Sequence, residues 1–188
     1  MLFDRIPSGY PGADEVFDNI RMGDNVVWQV TELAEYRLFA QPFADRAIAD
    51  GRNMVYMHFT HHEPLLSARP GLKIFEFDPD MGFEPFTVAI YNRITAEGKG
   101  TFYVFDSLSD LQSAWYTDQM MANFFRVTCP YLYELETVAY FPLLRSRHSF
   151  DSVARIRDTT QLLIDVYTSD NRVYIHTLKA QERDGNNV

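Results

Sequence analysis

Four stretches of the chain gather side chains that could do chemistry. In "FYVFDSLSD" an apolar run ends at Asp106 and Ser107. A carboxylate at the carboxyl end of a buried strand lies on the edge where open α/β sheets bind ligands, so it could contact a metal or other ligand. Nearby backbone or Ser107 could equally satisfy the same acceptor. "HFTHHEP" offers His58, His61, His62 and Glu63, with Asp78 and Asp80 further on. Imidazoles and carboxylates together bind zinc and other divalent ions. Their spacing matches no ligand signature and HExxH is absent, so the expectation is a solvated loop, an inward-facing His58 and no metal. "RSRHS" places Arg145, Arg147 and His148 together. Guanidinium forks bind phosphate or carboxylate, and ion pairing inside an acidic protein is the competing use. Ser107, Ser109 and Ser113 have no glycine elbow around them, so no hydrolase triad is expected.

The composition narrows the classes. A chain of 188 residues with 46% hydrophobic residues, 15 Phe and 11 Tyr has enough apolar mass for a packed core. Its net charge of −9 speaks against a nucleic-acid surface, which needs clustered Lys and Arg. Cys129 is the one cysteine, so neither an internal disulfide nor a thiolate zinc site can form. The start "MLFDRIPSGYPG" shows no basic segment followed by an apolar run, and no apolar run is long enough to span a bilayer. A cytoplasmic setting without membrane contact is expected.

The elements that must position these groups follow from periodicity. "NVVWQV", "NMVYMHF", "LKIFEF", "GTFYVFD" and "VAYFPLL" read as buried parallel strands. "ELAEYRLFAQPFADRAIADG" has helical spacing with Gly51 as a stop, and Pro42 predicts a kink or a restart. "EPFTVAIYNRITAEG" is a helix with Pro near its first turn. "LSDLQSAWYTDQMMANFFRV" is read as one helix, with "PYLYELE" as a second piece after Pro130. "SFDSVARIRDTT" is a helix with a Ser cap, and "QLLIDVYT" with "RVYIHTLKA" is a hairpin around "SDN". The expected fold is α/β, one domain over 1–180 with a mainly parallel sheet, flanking helices and an antiparallel edge hairpin, and a polar tail over 181–188.

Several of these stretches, in this order, resemble the KaiC branch of RecA-like ATPases. "SGYPGADEVFDNIRMGDNVVWQV" is similar to that family's opening, "DGRNMVYMHF" to its second strand, and "GTFYVFDSLSDL" to its Walker B strand. "ARIRDTTQLLIDVY" and "RVYIHTLKA" resemble its closing helix, strand and hairpin. Within the branch, "GDNVVWQV", "NFFRVTCPYLYELETVAYF" and "RHSFDSVARIRDTTQLL" look most like the N-terminal RecA-like domain of predicted phosphoenolpyruvate-synthase-like proteins.

The departures decide what the resemblance implies. The family's first strand leads to a glycine-rich turn whose amides hold phosphates, with Lys and Ser/Thr at the helix start. Here the matching stretch is "VTELAEYR", and the Lys and Ser/Thr positions fall near Tyr36 and Arg37. Glu32 and Glu35 put carboxylates where phosphate would sit. The family's acidic pair that activates water falls at Thr60 and His61. Of the nucleotide machinery a remnant of Asp106, Ser107 and Arg37 is left, and one Asp without its P-loop does not hold Mg-ATP. The resemblance therefore implies a non-catalytic regulatory or assembly module without cofactor, beside a phosphoenolpyruvate/pyruvate phosphotransferase. The alternative is a nucleotide-binding or phosphotransferase component with a changed phosphate site using Arg37, Asp106, Arg145 and Arg147. The aromatic, Met-rich segment Trp115 to Phe141 is divided between core and a surface for a protein partner or a second copy.

Overall fold

A computed structural model describes residues 5–181, so the expected polar tail lies, Gln181 apart, outside the described residues. In chain order the elements are β1 (Arg5–Ile6), α1 (Pro11–Val16), β2 (Ile20–Arg21), β3 (Asn25–Val30), α2 (Leu33–Ala49), β4 (Met54–Phe59) and β5 (Leu72–Phe77). A short 3-10 turn (Pro79–Met81) then leads to α3 (Phe83–Glu97), β6 (Phe102–Asp106), α4 (Leu108–Trp115) and α5 (Asp118–Glu134). The chain closes with β7 (Val138–Leu144), α6 (Phe150–Thr159), β8 (Leu162–Ser169) and β9 (Arg172–Ala180).

Seven strands form one sheet in the order β5-β4-β6-β7-β3-β8-β9. Every pairing is parallel except that of β8 with β9. The five apolar runs are thus parallel neighbours, and the hairpin occupies one edge. Both faces are covered, which is why the central strands are mostly apolar on both faces. Alternation still sorts their side chains. Val26, Trp28, Val30, Met54, Tyr56, Phe102, Val104, Val138 and Tyr140 face α2 and the β1–α1–β2 unit. Val27, Val55, Met57, Tyr103, Phe105, Ala139 and Phe141 pack with residues of α3, α4, α5 and α6. On the α2 side, the Phe43 ring stacks on Phe102 and Tyr140, with centroids 5.7 and 4.0 Å away.

Helix breaks fall at caps rather than at prolines. α2 runs through Pro42 without a restart. α5 likewise runs through Pro130, so the break expected there is corrected. It lies instead at Tyr116, whose left-handed backbone (φ 59°) ends α4, and at Thr117, whose Oγ1 accepts the Met120 amide and starts α5. Pro130 and Arg126 are exposed, so the Arg126 carbonyl left without its helical partner can turn to water. The aromatic segment is mostly core: Met121, Phe124, Phe125, Cys129, Leu132 and Phe141 are buried, while Tyr116, Val127 and Tyr133 remain exposed. Burial pushes the Cys129 thiol well above its ordinary range. Among the described residues no helix is long and apolar enough to cross a membrane.

Gly9, within "SGYPG", joins the N-terminal unit to the proline of α2. Its φ is +82°, and a Cβ there would sit 2.2 Å from the Pro42 carbonyl oxygen. No L side chain fits both the backbone conformation and that approach. Gly9→Ala is therefore expected to lower stability by at least about 1 kcal/mol in urea unfolding; a midpoint equal to the parent's would contradict this packing.

Candidate functional site

The carboxyl edge of the sheet is where ligands of open α/β folds sit, and its first feature is the turn between β3 and α2. Glu32 has extended backbone and occupies the N-cap of α2, and Glu35 stands three residues on. The two form a reciprocal capping box. Glu35 Oε2 accepts the Thr31 amide at 2.7 Å and the Glu32 amide at 3.4 Å, while Oε1 accepts Thr168 Oγ1 of β8 at 2.9 Å. Glu35 is 7% exposed. The amides and dipole of a helix start attract an anion, and here the anion is the protein's own side chain. A cap of this kind contributes about 0.5–2 kcal/mol. Tyr36 is buried and its hydroxyl donates to the Phe105 carbonyl at 3.0 Å. Burial, then the Asp106 charge, raises that phenol well above its ordinary range. Arg37 points outward, in a shallow groove with Ala34, Leu38, Gln41 and Pro42. Neither residue offers a lysine ammonium or a Ser/Thr hydroxyl at this helix start.

The second feature lies at the ends of β4 and β6. Their parallel register sets His58 beside Asp106. Strand parity puts both on the same face as Tyr56. Asp106 is wholly buried, and its Oδ2 accepts the Tyr56 hydroxyl at 2.5 Å. Burial, then the Asp106 charge and this bond, keeps the Tyr56 phenol far above its ordinary range. The turn after β4 brings His62 over the pair. Its Nε2 is 2.8 Å from Asp106 Oδ2 and its Nδ1 is 2.6 Å from Asp110 Oδ2, on the first turn of α4. Burial disfavours the charged ring, but these contacts and the charges of Asp106 and Asp110 outweigh it and push the imidazole up to about 10. Neither nitrogen is aligned for a hydrogen bond with its carboxylate. His58 Nε2 lies 2.7 Å from the His62 carbonyl, which can only accept, so Nε2 carries the proton. His58 Nδ1, Asp106 Oδ1 and Ser107 Oγ are buried without a hydrogen-bond partner. A buried polar atom left so costs about 1–3 kcal/mol.

A third group sits behind the edge. His148 Nδ1 is 2.8 Å from Asp118 Oδ1, and its Nε2 is 2.7 Å from Ser109 Oγ. The arrangement copies the relay of a serine hydrolase. Yet Ser109 is wholly buried and its Oγ accepts the Leu144 amide at 3.0 Å, so no substrate carbonyl can reach it. The relay instead ties α4, α5, β7 and the start of α6 together. Burial would raise the Asp118 carboxyl, but the bonds from His148 and from the Ser149 amide, with the His148 charge, hold it below its ordinary range. Burial lowers His148 despite the Asp118 bond and charge. The neighbouring arginines are engaged separately: Arg145 pairs with Asp165 at 2.5 Å and bonds the Val166 carbonyl, and Arg147 bonds Ser113 Oγ. They do not converge on an anion site.

Of the residues singled out in the sequence, the structure thus brings Asp106 together with His58 and His62, and leaves Arg37 on the surface. His61 joins Asp78 and Asp80 in a separate, exposed cluster. Tyr56 and Asp110 were not foreseen in the Asp106 environment. The signal for Tyr56 was its even spacing from His58 in "MVYMHF"; that for Asp110 was its place one helical turn beyond Asp106. Comparison with family models and with curated proteins finds no match for the chain.

The His148–Asp118 pair makes a pH prediction. Both groups have folded pKa values below their unfolded ones, so the unfolded chain binds protons first. Their stabilisation is present above about pH 6.5 for His148 and about pH 3.9 for Asp118, and is lost as pH falls through each folded value. His148→Gln should flatten the fall in urea stability between neutral and acid pH; an acid limb as steep as the parent's would contradict the assignment.

Proposed function

We propose that this chain is a RecA/KaiC-like domain that has lost nucleotide handling and serves as a non-catalytic regulatory or assembly module. The single observation that carries the reading is the Glu35 carboxylate seated on the amides of Thr31 and Glu32. The site where a P-loop holds phosphate is filled from within, and a triphosphate would meet two glutamates there rather than a lysine. The remaining residues agree with this. Thr60 and His61 stand where the family has its acidic pair, and His62, not Mg-nucleotide, is the partner of Asp106. The motif order from "SGYPG" to "RVYIHTLKA" supports the RecA-like part of the reading, and the observed α/β sheet with its antiparallel edge hairpin is compatible with it.

In this reading the module acts on a protein partner, and the resemblance suggests a phosphoenolpyruvate/pyruvate phosphotransferase system as its setting. The Ser109 relay is sealed and the arginines are dispersed among separate partners. Surface contact is what remains. The exposed side chains Val88, Tyr91, Val127 and Tyr133 on α3 and α5 are among the apolar material available for it.

Thermal unfolding with Mg-ATP and Mg-GTP tests the reading. A ligand present at a hundred times its Kd adds about 2.7 kcal/mol, an effect that a melt resolves. No shift is expected with either nucleotide. A concentration-dependent rise in Tm would overturn the proposal in favour of a nucleotide-binding component with a changed phosphate site.

A further inference from the structure

We propose that His58, His62 and Asp106 form a binding site for a divalent cation of the zinc class, independent of the reading of the β3–α2 turn. One ligand atom from each of the three residues lies within 4.8 Å of the others, at the carboxyl ends of two adjacent parallel strands. Tetrahedral coordination at about 2.0–2.1 Å brings such atoms to about 3.3 Å, a closure that the turn carrying His62 can supply. Two imidazoles with one carboxylate are a borderline donor set, suited to zinc and to other first-row ions rather than to magnesium or calcium.

What distinguishes this cluster from an ordinary group of charges is how each ligand is held. His58 donates Nε2–H to the His62 carbonyl, so in the neutral ring Nδ1 presents a lone pair, and it has no hydrogen-bond partner. Glu76 Oε1, at 3.9 Å from Nδ1, is too far to claim it. His62 sets Nδ1 against Asp110 and Nε2 toward Asp106. That is the carboxylate–imidazole–metal order by which proteins orient a ligating histidine. Tyr56 fixes the Asp106 carboxylate through Oδ2, and Oδ1 is left wholly buried and unpartnered. His58 and Asp106 therefore each have an outer hydrogen bond already in place, and the Asp110 carboxylate stands beside His62 Nδ1. A cation and a proton are alternative occupants of the gap between His62 Nε2 and Asp106. The His62 side chain is 18% exposed, which gives the ion a way in. Once bound, the ion fastens the turn after β4 to β6.

The exposed cluster of His61, Asp78 and Asp80 serves as the internal control, because it offers similar donors without burial. The test is calorimetric titration of the chelator-treated full chain with zinc chloride, beside the visible spectrum of the cobalt(II) form. One equivalent should bind, with intense low-coordinate cobalt bands. His58→Gln should abolish that site, Asp110→Asn should weaken it about 10–100-fold, and His61→Ala should leave it unchanged. Circular dichroism establishes that each variant is folded, and Asp110→Asn carries the test if His58→Gln is not. Absence of zinc uptake by the folded parent overturns the proposal. So does binding that survives both His58→Gln and Asp110→Asn, binding lost in His61→Ala, or a weak octahedral cobalt spectrum.

Discussion

The Glu35 carboxylate on the amino end of α2 is the interaction on which the account of this molecule rests. A helix start presents unsatisfied amides and a partial positive charge, and something anionic must meet them. Here the residue that meets them is in the helix itself. It is nearly buried, and its second oxygen reaches Thr168 on β8. One side chain thereby closes the turn after β3, starts the helix that covers one face of the sheet, and links that helix to the hairpin edge.

The same logic repeats on the other half of the carboxyl edge. Asp106 and Asp110 bring two carboxylates together at the end of β6 and on the first turn of α4, and the His62 ring stands between them. An anion fills the anion site and an imidazole fills the gap between the carboxylates. Both arrangements are carried by short local sequences, "TELAEY" in one turn and "THHE" in the other. The hydrophobic framework beneath them is built separately from these turns, because strand parity keeps Trp28, Tyr56, Phe102 and Tyr140 in one core cluster.

Much of the framework was legible in the sequence because burial on both faces gives the central strands their apolar runs, while the edge hairpin and most helices follow from turn residues and periodicity. The helix break expected at Pro130 is absent. Pro130 lies on an exposed face where the lost hydrogen bond is tolerated, while the real break at Tyr116 depends on a left-handed residue that carries no glycine signal. The Glu32–Glu35 box was legible as spacing alone. The Asp106 cluster was not, since it joins residues 56 to 62 with 106 to 110 through a strand adjacency that no local pattern encodes. The Ser109–His148–Asp118 relay was hidden for the same reason, and burial rather than motif decides that it is structural. The aromatic density between Trp115 and Phe141 proved to be mainly core: composition measured how apolar the segment is, and only the fold showed which way it faces.

The central claim is that the amides of Thr31 and Glu32 are held by Glu35 and closed to phosphate. Two-dimensional amide NMR of the labelled chain during titration with inorganic pyrophosphate reads those two groups directly. The Thr31 and Glu32 resonances should stay in place throughout the titration and should move in Glu35→Ala without any ligand. Saturable shifts of both amides in the parent chain would show that the turn still binds phosphate, and the account would fail.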